Sequence, residues 1–508
     1  MMLLNSLSRK ILVVATSLLA TLAAASSISL SPAAGPPSSK VTATGSGFSG
    51  GEAVNLTFDN AAFGSATADN SGDFTANVMV PKSAQPGAHT IKAAGLTSGS
   101  TATATFTVQT NWASFKNGGA RVGNNVFENT ISKSNAKSLT QAWVGVMGDL
   151  VDFSSPAVAN GVAYVGSFDG KLYAFNANGC GHSTACQPLW SGATANDITS
   201  SPAVANGVVY IGSADKNLYA FSAKGCGQKT CAPLWKGQLA DGVIESSPLV
   251  ANNVVYVGGF DGKLYAFAAN GCGNSTCSPL WTGTTGGPHI TSSPAISNGV
   301  VYVGSEDGKL NAFGATGCGN SSCAPLWTGN AGTDIFTSSP AVAGSVVYIG
   351  TFDGNLSAFN AAGCGNSSCD PLWQGTTSGI IESSPSVANG VVYIGSDEII
   401  YAFKAAGCGN STCSAIWSGE AVGEQASIVS APTIANGLLY VSENNGMVMV
   451  FNASGCGKSF CLPLTQLLTQ NEPIVSSSPT VVNGTVYFGS ADQLSAPIGR
   501  LYVYKLSK

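Results

Sequence analysis

The sequence predicts an all-β chain: a small immunoglobulin-like β-sandwich followed by an eight-bladed β-propeller of four-stranded antiparallel blades. Three observations carry that prediction. A unit that opens Ser154-Ser-Pro-Ala-Val-Ala-Asn-Gly161 recurs, slightly altered, to the end of the 508-residue chain. Each full copy reads as strand, Asn-Gly turn, strand, second turn, strand, a loop holding two cysteines, and a strand that ends in Trp, which is the order of a four-stranded meander. Charged residues are only 9% of the chain while Gly numbers 63, a composition suited to tightly turned β-structure.

The blade count follows from the prolines that close the Ser-Ser-Pro element or its variant, Pro156, Pro202, Pro248, Pro294, Pro340, Pro385, Pro432 and Pro479. Fourth strands are expected to end at Trp190, Trp235, Trp281, Trp327, Trp373 and Trp417, with Thr465 replacing Trp in the seventh copy. The eighth copy stops after its third strand. Leu139-Thr-Gln-Ala-Trp143, ahead of the first copy, supplies the missing strand, and eight units of about 46 residues fill residues 137–508.

Within a copy, Asn160-Gly161, Asn206-Gly207 and Asn298-Gly299 are two-residue hairpin turns, where both positions need positive φ. Asp169-Gly170, Asp261-Gly262, Asp307-Gly308 and Asp353-Gly354 are read the same way, because one carboxylate per turn is too few for calcium, which takes six to eight oxygens. The Trp series is read as packing between blades.

All fourteen cysteines fall into local pairs: Cys180/Cys186, Cys226/Cys231, Cys272/Cys277, Cys318/Cys323, Cys364/Cys369, Cys408/Cys413 and Cys456/Cys461. Each pair lies in a different copy and has no regular His partner, so disulfides are expected rather than zinc sites. Asn274, Asn320, Asn366 and Asn410 head Asn-x-Ser/Thr sequences inside these loops and read first as turn formers.

Residues 1–25 have the make-up of a signal peptide: Arg9 and Lys10, an apolar run over 11–22, then Ala23-Ala-Ala25. The run is short for a spanning helix, so no membrane span is expected after cleavage. Residues 28–108 alternate apolar and polar positions in Ala53-Val-Asn-Leu-Thr-Phe58, Asp73-Phe-Thr-Ala-Asn-Val-Met-Val80 and Thr103-Ala-Thr-Phe-Thr-Val108, as a β-sandwich would. Its opening Leu30-Ser-Pro-Ala-Ala-Gly35 and its Gly45-Ser-Gly-Phe48 turn resemble the IPT/TIG-like immunoglobulin modules of bacterial surface proteins, which implies a spacer or adhesive unit.

A lead-in segment, 109–136, joins the two. Trp112-Ala-Ser-Phe115, Arg121-Val-Gly-Asn-Asn125, Glu128, Ile131, Asn135 and the Leu139-to-Trp143 run follow the order of the lead-in of PQQ-type propellers. With the repeats, residues 110–508 resemble the quinoprotein-dehydrogenase-like family. That resemblance implies a propeller fold and raises PQQ with calcium as a cofactor pair. The family's adjacent Cys-Cys pair is missing, as is any C-x-x-C-H haem motif. The copies are also too uniform to suggest a catalytic blade, so the residues favour no cofactor and no enzyme activity.

The net charge of −5, without a Lys/Arg cluster, excludes a nucleic-acid surface. Meander connectivity puts the Asn-Gly turns and cysteine loops on one face. The Asp-Gly turns and the connections between copies share the other. Those connections carry Asp152, Asp197, Glu245, His289, Asp334, Glu382, Glu424 and Glu472, a candidate rim for a cation or a basic partner. The expectation is thus an exported, monomeric, non-enzymatic propeller, secreted or at the cell surface, that binds another protein or a surface polymer. The alternatives are a PQQ-dependent dehydrogenase and a factor like the propeller of outer-membrane β-barrel assembly.

Overall fold

The computed structural model describes residues 25–181, 183–420, 427–469, 473, 476–492 and 498–507. The expected signal peptide therefore falls, apart from Ala25, outside the described residues, as do Glu424 and Glu472. The chain divides into two compact units, Met1–Val108 and Gln109–Lys508. It is all-β, its one described helix being a 3-10 turn at Ala136–Ser138. No described helix is long and apolar enough to cross a membrane.

In the first unit, Ser27–Ser31, Lys40–Ser46 and Phe74–Met79 form one sheet. Ala34–Gly35, Thr101–Val108, Gly87–Gly95, Ala53–Phe58 and Ala61–Thr67 form the other. The alternation read from sequence is the burial pattern: Val54, Leu56 and Phe58 are buried, while Ala53 and Asn55 are exposed. Val41, Ala43, Ile91, Ala93 and Phe106 complete the core between the sheets. Glu52 is the polar exception. Backbone and hydroxyl donors of Ser98, with Ser49 and Thr97, surround its carboxylate and lower its pKa to about 2.

The second unit contains eight sheets among the described residues. Sheet 1 runs from Ala157–Ala159 through Val162–Ser167 and Lys171–Asn176 to Trp190–Ala193. Sheets 2 to 6 repeat the order from inner strands Ala203–Ala205, Leu249–Ala251, Ala295–Ser297, Ala341–Ala343 and Ser386–Ala388. Sheet 7 starts at Thr433–Ala435 and sheet 8 at Thr480–Val482. The strand expected ahead of the first copy runs over Leu139–Val146 and pairs antiparallel with Ile498–Leu506 of sheet 8.

Four strands per sheet were expected, but seven of the sheets carry a fifth on the outer edge. It is a two-residue strand that ends at the second cysteine of a neighbouring copy. Thr230–Cys231 pairs parallel with Ser191 and Gly192 of sheet 1, and Thr276–Cys277 does the same with Lys236 and Gly237 of sheet 2. Ser322–Cys323, Ser368–Cys369, Thr412–Cys413 and Phe460–Cys461 cover sheets 3 to 6 in the same way. Ala185–Cys186 covers Val144 and Gly145 in sheet 8. A two-residue strand has no periodicity to read, and its partner lies a whole copy away.

The cysteines pair as their spacing implied. The seven disulfides are Cys180–Cys186, Cys226–Cys231, Cys272–Cys277, Cys318–Cys323, Cys364–Cys369, Cys408–Cys413 and Cys456–Cys461. Their Cα atoms stand 5.5 Å apart in the first and 5.7 Å apart in the third. The reading of both cysteines as loop residues needs correction, however. Cys186, Cys231, Cys277, Cys323, Cys369, Cys413 and Cys461 are strand residues, and all seven are buried, because each closes the edge of an adjoining sheet. Each staple thus fixes the segment that caps its neighbour's edge, which would otherwise present unpaired backbone groups. Seven disulfides favour an extracytoplasmic, oxidising compartment.

The Trp residues fill the space between sheets, as their positions suggested. Trp190 lies 6.1 Å from the Tyr164 ring of its own sheet and 6.5 Å from Phe221 of the next. A side chain at Gly192 would meet the Phe221 ring at 2.6 Å, so Gly there lets the sheets close together. One such Trp removes about 200 Å² from water, on the order of 3–5 kcal/mol.

Candidate functional site

The two serines before each proline have different roles. The first accepts a backbone N–H from the second strand of its own sheet. Ser154 Oγ takes the Gly166 N–H at 2.9 Å, and Ser246 takes that of Gly258 at 2.8 Å. A Cβ at Gly166 would stand 2.2 Å from Ile198, which is why glycine recurs at that position. The second serine links sheets. Ser155 N–H donates to Ser201 Oγ at 2.9 Å, Ser201 to Ser247 at 3.0 Å, Ser247 to Ser293 at 2.9 Å, Ser293 to Ser339 at 2.8 Å and Ser339 to Ser384 at 2.9 Å. The next position is Ala431, which has no hydroxyl. The series resumes with Ala431 N–H to Ser478 Oγ and Ser478 N–H to Ser155 Oγ, both at 2.9 Å.

On the Asn-Gly side of this seryl ladder lies the lead-in. Residues 112–125 hydrogen-bond to the inner strand of every sheet or, in sheet 3, to the residues just before it. Trp112 exchanges backbone hydrogen bonds with Val158, and Ala113 accepts from Val204. Gly119, Ala120, Val122 and Gly123 accept in turn from Ile296, Val342, Val387 and Ile434 at 2.8 Å. Asn125 Nδ2 donates to the Val481 carbonyl at 2.9 Å. Sheet 3 is reached by Arg121, whose guanidinium donates to the Ser247 carbonyl at 2.8 Å and to that of Pro248 at 3.1 Å. The same side chain also donates to Pro294 and, at 2.8 Å, to Phe115. Lys116 Nζ donates to the Pro385 carbonyl.

Both cations are fully enclosed, Arg121 at 0% and Lys116 at 2% exposure. Burial lowers the Arg121 pKa to about 9. Burial, and secondarily the charge of Arg121, pulls Lys116 well below its usual value. Sequence reasoning missed both residues, because nothing local in the non-repeating lead-in signals that a charged side chain is buried.

Beyond the ladder a narrow cavity remains, lined by Phe115, the linking serines, Phe153, Glu245, Thr337, Glu382, Val429 and Ser476. It offers about 30 Å³ for water centres, room for about two ordered waters. Phe153, Glu245 and Ser476 each stand immediately before the two serines and share left-handed backbone, with φ of 58°, 64° and 57°. Cross-links at this level include the Glu245 N–H to Thr199 Oγ1 at 3.0 Å and the Thr337 hydroxyl to the Glu382 carbonyl.

The candidate rim residues therefore separate. Glu245 and Glu382 line the cavity, and the charges of Asp152 and Glu382 both act on Glu245. Burial, reinforced by those neighbouring carboxylates, raises Glu245 to about 8, and burial raises Asp152 to about 7. Glu382 is also raised, by burial first and then by Asp397. Asp334 is exposed and Asp197 half-buried. Neither lines the cavity. His289 is half-buried and stacked on Phe260 at 3.7 Å, its Nδ1 bonded to the Phe260 carbonyl. The position directly before the serine pair, compared across copies, would have singled out Glu245 and Glu382.

These residues do not fit PQQ. Its carboxylates would meet Glu245 and Glu382 rather than cations, while Arg121 and Lys116 are committed to carbonyls. Among the described residues, no three His, Cys, Asp or Glu side chains are grouped to hold a metal. In the first Asp-Gly turn Asp169 is satisfied locally, by Lys171 at 2.8 Å and Tyr173 at 2.6 Å.

The family model described as outer membrane protein assembly factor BamB matches residues 111–227 and 187–408. A macroglobulin-like domain model matches residues 23–108. No curated protein matches the chain. Among solved structures, BamB from Moraxella catarrhalis is similar at 18% identity and a TM-score of 0.52, covering 72% of this chain and 97% of that one. Quinohemoprotein alcohol dehydrogenase from Comamonas testosteroni is similar at 14% identity and a TM-score of 0.59, covering 78% and 80%. The computationally designed Ika8 protein is similar at 13% identity and a TM-score of 0.53, covering 72% and 99%. At these identities the likeness is one of fold, a propeller-like arrangement of repeated β-sheets.

Proposed function

The chain belongs to the family described as outer membrane protein assembly factor BamB, and on that premise we propose that it is an exported, non-enzymatic scaffold for protein binding, its repeats closed as an eight-bladed propeller. The observation that carries the reading is the filled channel. Residues 112–125 cross the inner end of every sheet, and the cavity described beside Phe115 has room for about two waters. Where a propeller commonly takes a ligand, this one has its own chain. Closure as eight blades is supported by the Ser478–Ser155 link and the pairing of Leu139–Val146 with Ile498–Leu506.

The partner in this reading is another envelope protein, in keeping with an assembly role, and the first unit serves as a spacer. The test uses residues 26–508 as bait in native envelope extract, with PQQ and calcium added to the purified chain alongside. The expected result is a saturable protein partner and no bound quinone. A stoichiometric quinone chromophore with dye-linked alcohol oxidation would overturn the reading in favour of a dehydrogenase.

A further inference from the structure

The cysteine loops of copies 3 to 6 contain an Asn-x-Ser/Thr sequence, headed by Asn274, Asn320, Asn366 and Asn410. Their reading as turn formers does not hold. None of the four asparagines has left-handed backbone. That conformation belongs to the glycine before each, Gly273, Gly319, Gly365 and Gly409, with φ of 82°, 82°, 83° and 85°. Their side-chain amides bond to no other group among the described residues, so no Asx turn forms either. Copies 2 and 7 build the same loop around Gln228 and Lys458. The Cα atoms of Cys226–Cys231 and Cys456–Cys461 stand 5.6 Å apart, against 5.7 Å in Cys272–Cys277 and 5.6 Å in Cys408–Cys413. The fold therefore does not require asparagine at this position.

The acceptor position is open in all four loops. Asn274, Ser275 and Thr276 are exposed, as are the matching residues of the other three. A side chain added at Gly273, Gly319, Gly365 or Gly409 would meet nothing within 4 Å, so the space next to each asparagine is free. Asn320 also borders an open groove of about 540 Å³ whose wall includes the exposed Leu280. The three other Asn-x-Ser/Thr sequences of the second unit, at Asn355, Asn452 and Asn483, differ. Asn355 Nδ2 donates to Asp353 at 3.0 Å, and Ser357, its third residue, is fully buried. Asn452 Nδ2 donates to the Gly455 carbonyl and Asn483 Nδ2, at 2.9 Å, to that of Thr110. The hydroxyl at the third position of the loop sequence is not needed for the outer strand, since Phe460 occupies it in copy 7 and pairs in the same way.

We propose that Asn274, Asn320, Asn366 and Asn410 are N-glycosylation sites, which place an arc of saccharide over copies 3 to 6 and leave the loops of copies 1, 2 and 7 bare. A glycan is bulky and polar, so it needs an acceptor amide that is unengaged and surrounded by solvent, as these four are and the other three are not. In the linking step the asparagine Nδ2 bonds to the anomeric carbon of a saccharide carried as its diphosphate ester. The anomeric C–O bond breaks, its electron pair leaves with the diphosphate, and the amide gives up one proton, so nothing is oxidised or reduced. The hydroxyl of Thr276, Ser322, Ser368 or Thr412 is what the transferring enzyme reads, and it stays unmodified. Because each loop caps the preceding sheet, the saccharide would shield the outer edges of sheets 2 to 5. The inference requires export and is independent of the scaffold reading.

The test is peptide mass spectrometry of the chain purified from the envelope of its native host, with fragmentation that keeps side-chain attachments in place. Saccharide is expected on the four loop peptides and absent from those that hold Gln228, Lys458, Asn355, Asn452 and Asn483. In the same host, Thr276→Ala should lose the saccharide at Asn274 and keep it at Asn320, whereas Thr276→Ser should keep both. Closure of Cys272–Cys277, read in the same spectra, shows that the loop of each variant has folded. Bare loop peptides from the native protein overturn the proposal. So does saccharide at Asn274 that survives Thr276→Ala, since the attachment then does not depend on the Asn-x-Ser/Thr sequence. Capture of a protein partner from envelope extract is a separate readout, so either reading can fail while the other stands.

Discussion

The Ser478 backbone N–H donates to the Ser155 hydroxyl at 2.9 Å, tying the last copy of the repeat to the first. The ladder that this bond belongs to lacks a member at Ala431. Ala431→Ser should supply an acceptor for Ser384 and stabilise the fold by up to about 1 kcal/mol. Ser293→Ala should cost about 1–3 kcal/mol, because it leaves the buried Ser247 N–H without its acceptor. Chemical denaturation of both variants checks the pair.

Arg121 and Lys116 are equally buried but differ in what they satisfy. Arg121→Met strips donors from four carbonyls, those of Phe115, Ser247, Pro248 and Pro294, and should cost about 3–5 kcal/mol. Lys116→Met frees one carbonyl and removes an ion whose enclosure is unfavourable, so its cost should fall below about 1 kcal/mol. Thermal unfolding that ranks the two variants the other way would refute this account of the lead-in.

Glu245 has a folded pKa of about 8 against an ordinary 4.5. The unfolded chain therefore ionises more readily than the folded one between those values, and stability falls as pH rises through that window. Glu245→Gln should leave the melting temperature nearly unchanged at pH 4.5. At pH 8.5 it should stabilise by about 1–2 kcal/mol, a figure reduced for the water that reaches the cavity mouth. Melting curves at the two pH values provide the comparison.

The staples act on edges that they do not belong to. Cys272→Ser with Cys277→Ser should lower stability by about 2 kcal/mol. It should also accelerate hydrogen exchange at Lys236, in the preceding copy, at least tenfold, because the Ser275 carbonyl that binds its N–H is released. Exchange at Ser191, capped by a different loop, should not change.

The copies were legible because turn chemistry and strand patterning repeat. Asn160, Asn206 and Asn298 have φ of 51°, 50° and 48°, as their Asn-Gly steps imply. The disulfide partners were legible too, but the strand role of Cys323, Cys369, Cys413 and Cys461 was not, since it depends on an edge in the preceding copy. The acidic residues of the connections were legible only as a loose set, since Asp152 stands two and Asp334 four positions before the first serine, against one for Glu245 and Glu382. The lead-in was the least legible element. Its contacts reach residues up to 373 positions away, as from Thr110 to Asn483, and its buried ions look in sequence like surface charges.

The borrowed outer strands have a consequence for how the repeat region comes apart. No copy owns a complete sheet: Thr276–Cys277 finishes a sheet whose other strands begin at Ala203. A chain shortened by one copy at the C-terminal end would lose its closing partner for Leu139–Val146, and a cut between interior copies would strand a stapled loop with no edge to cover. The region is thus a chain of interlocked neighbours rather than a stack of removable parts. Its loss of structure should therefore spread from any copy that opens to the neighbours it completes.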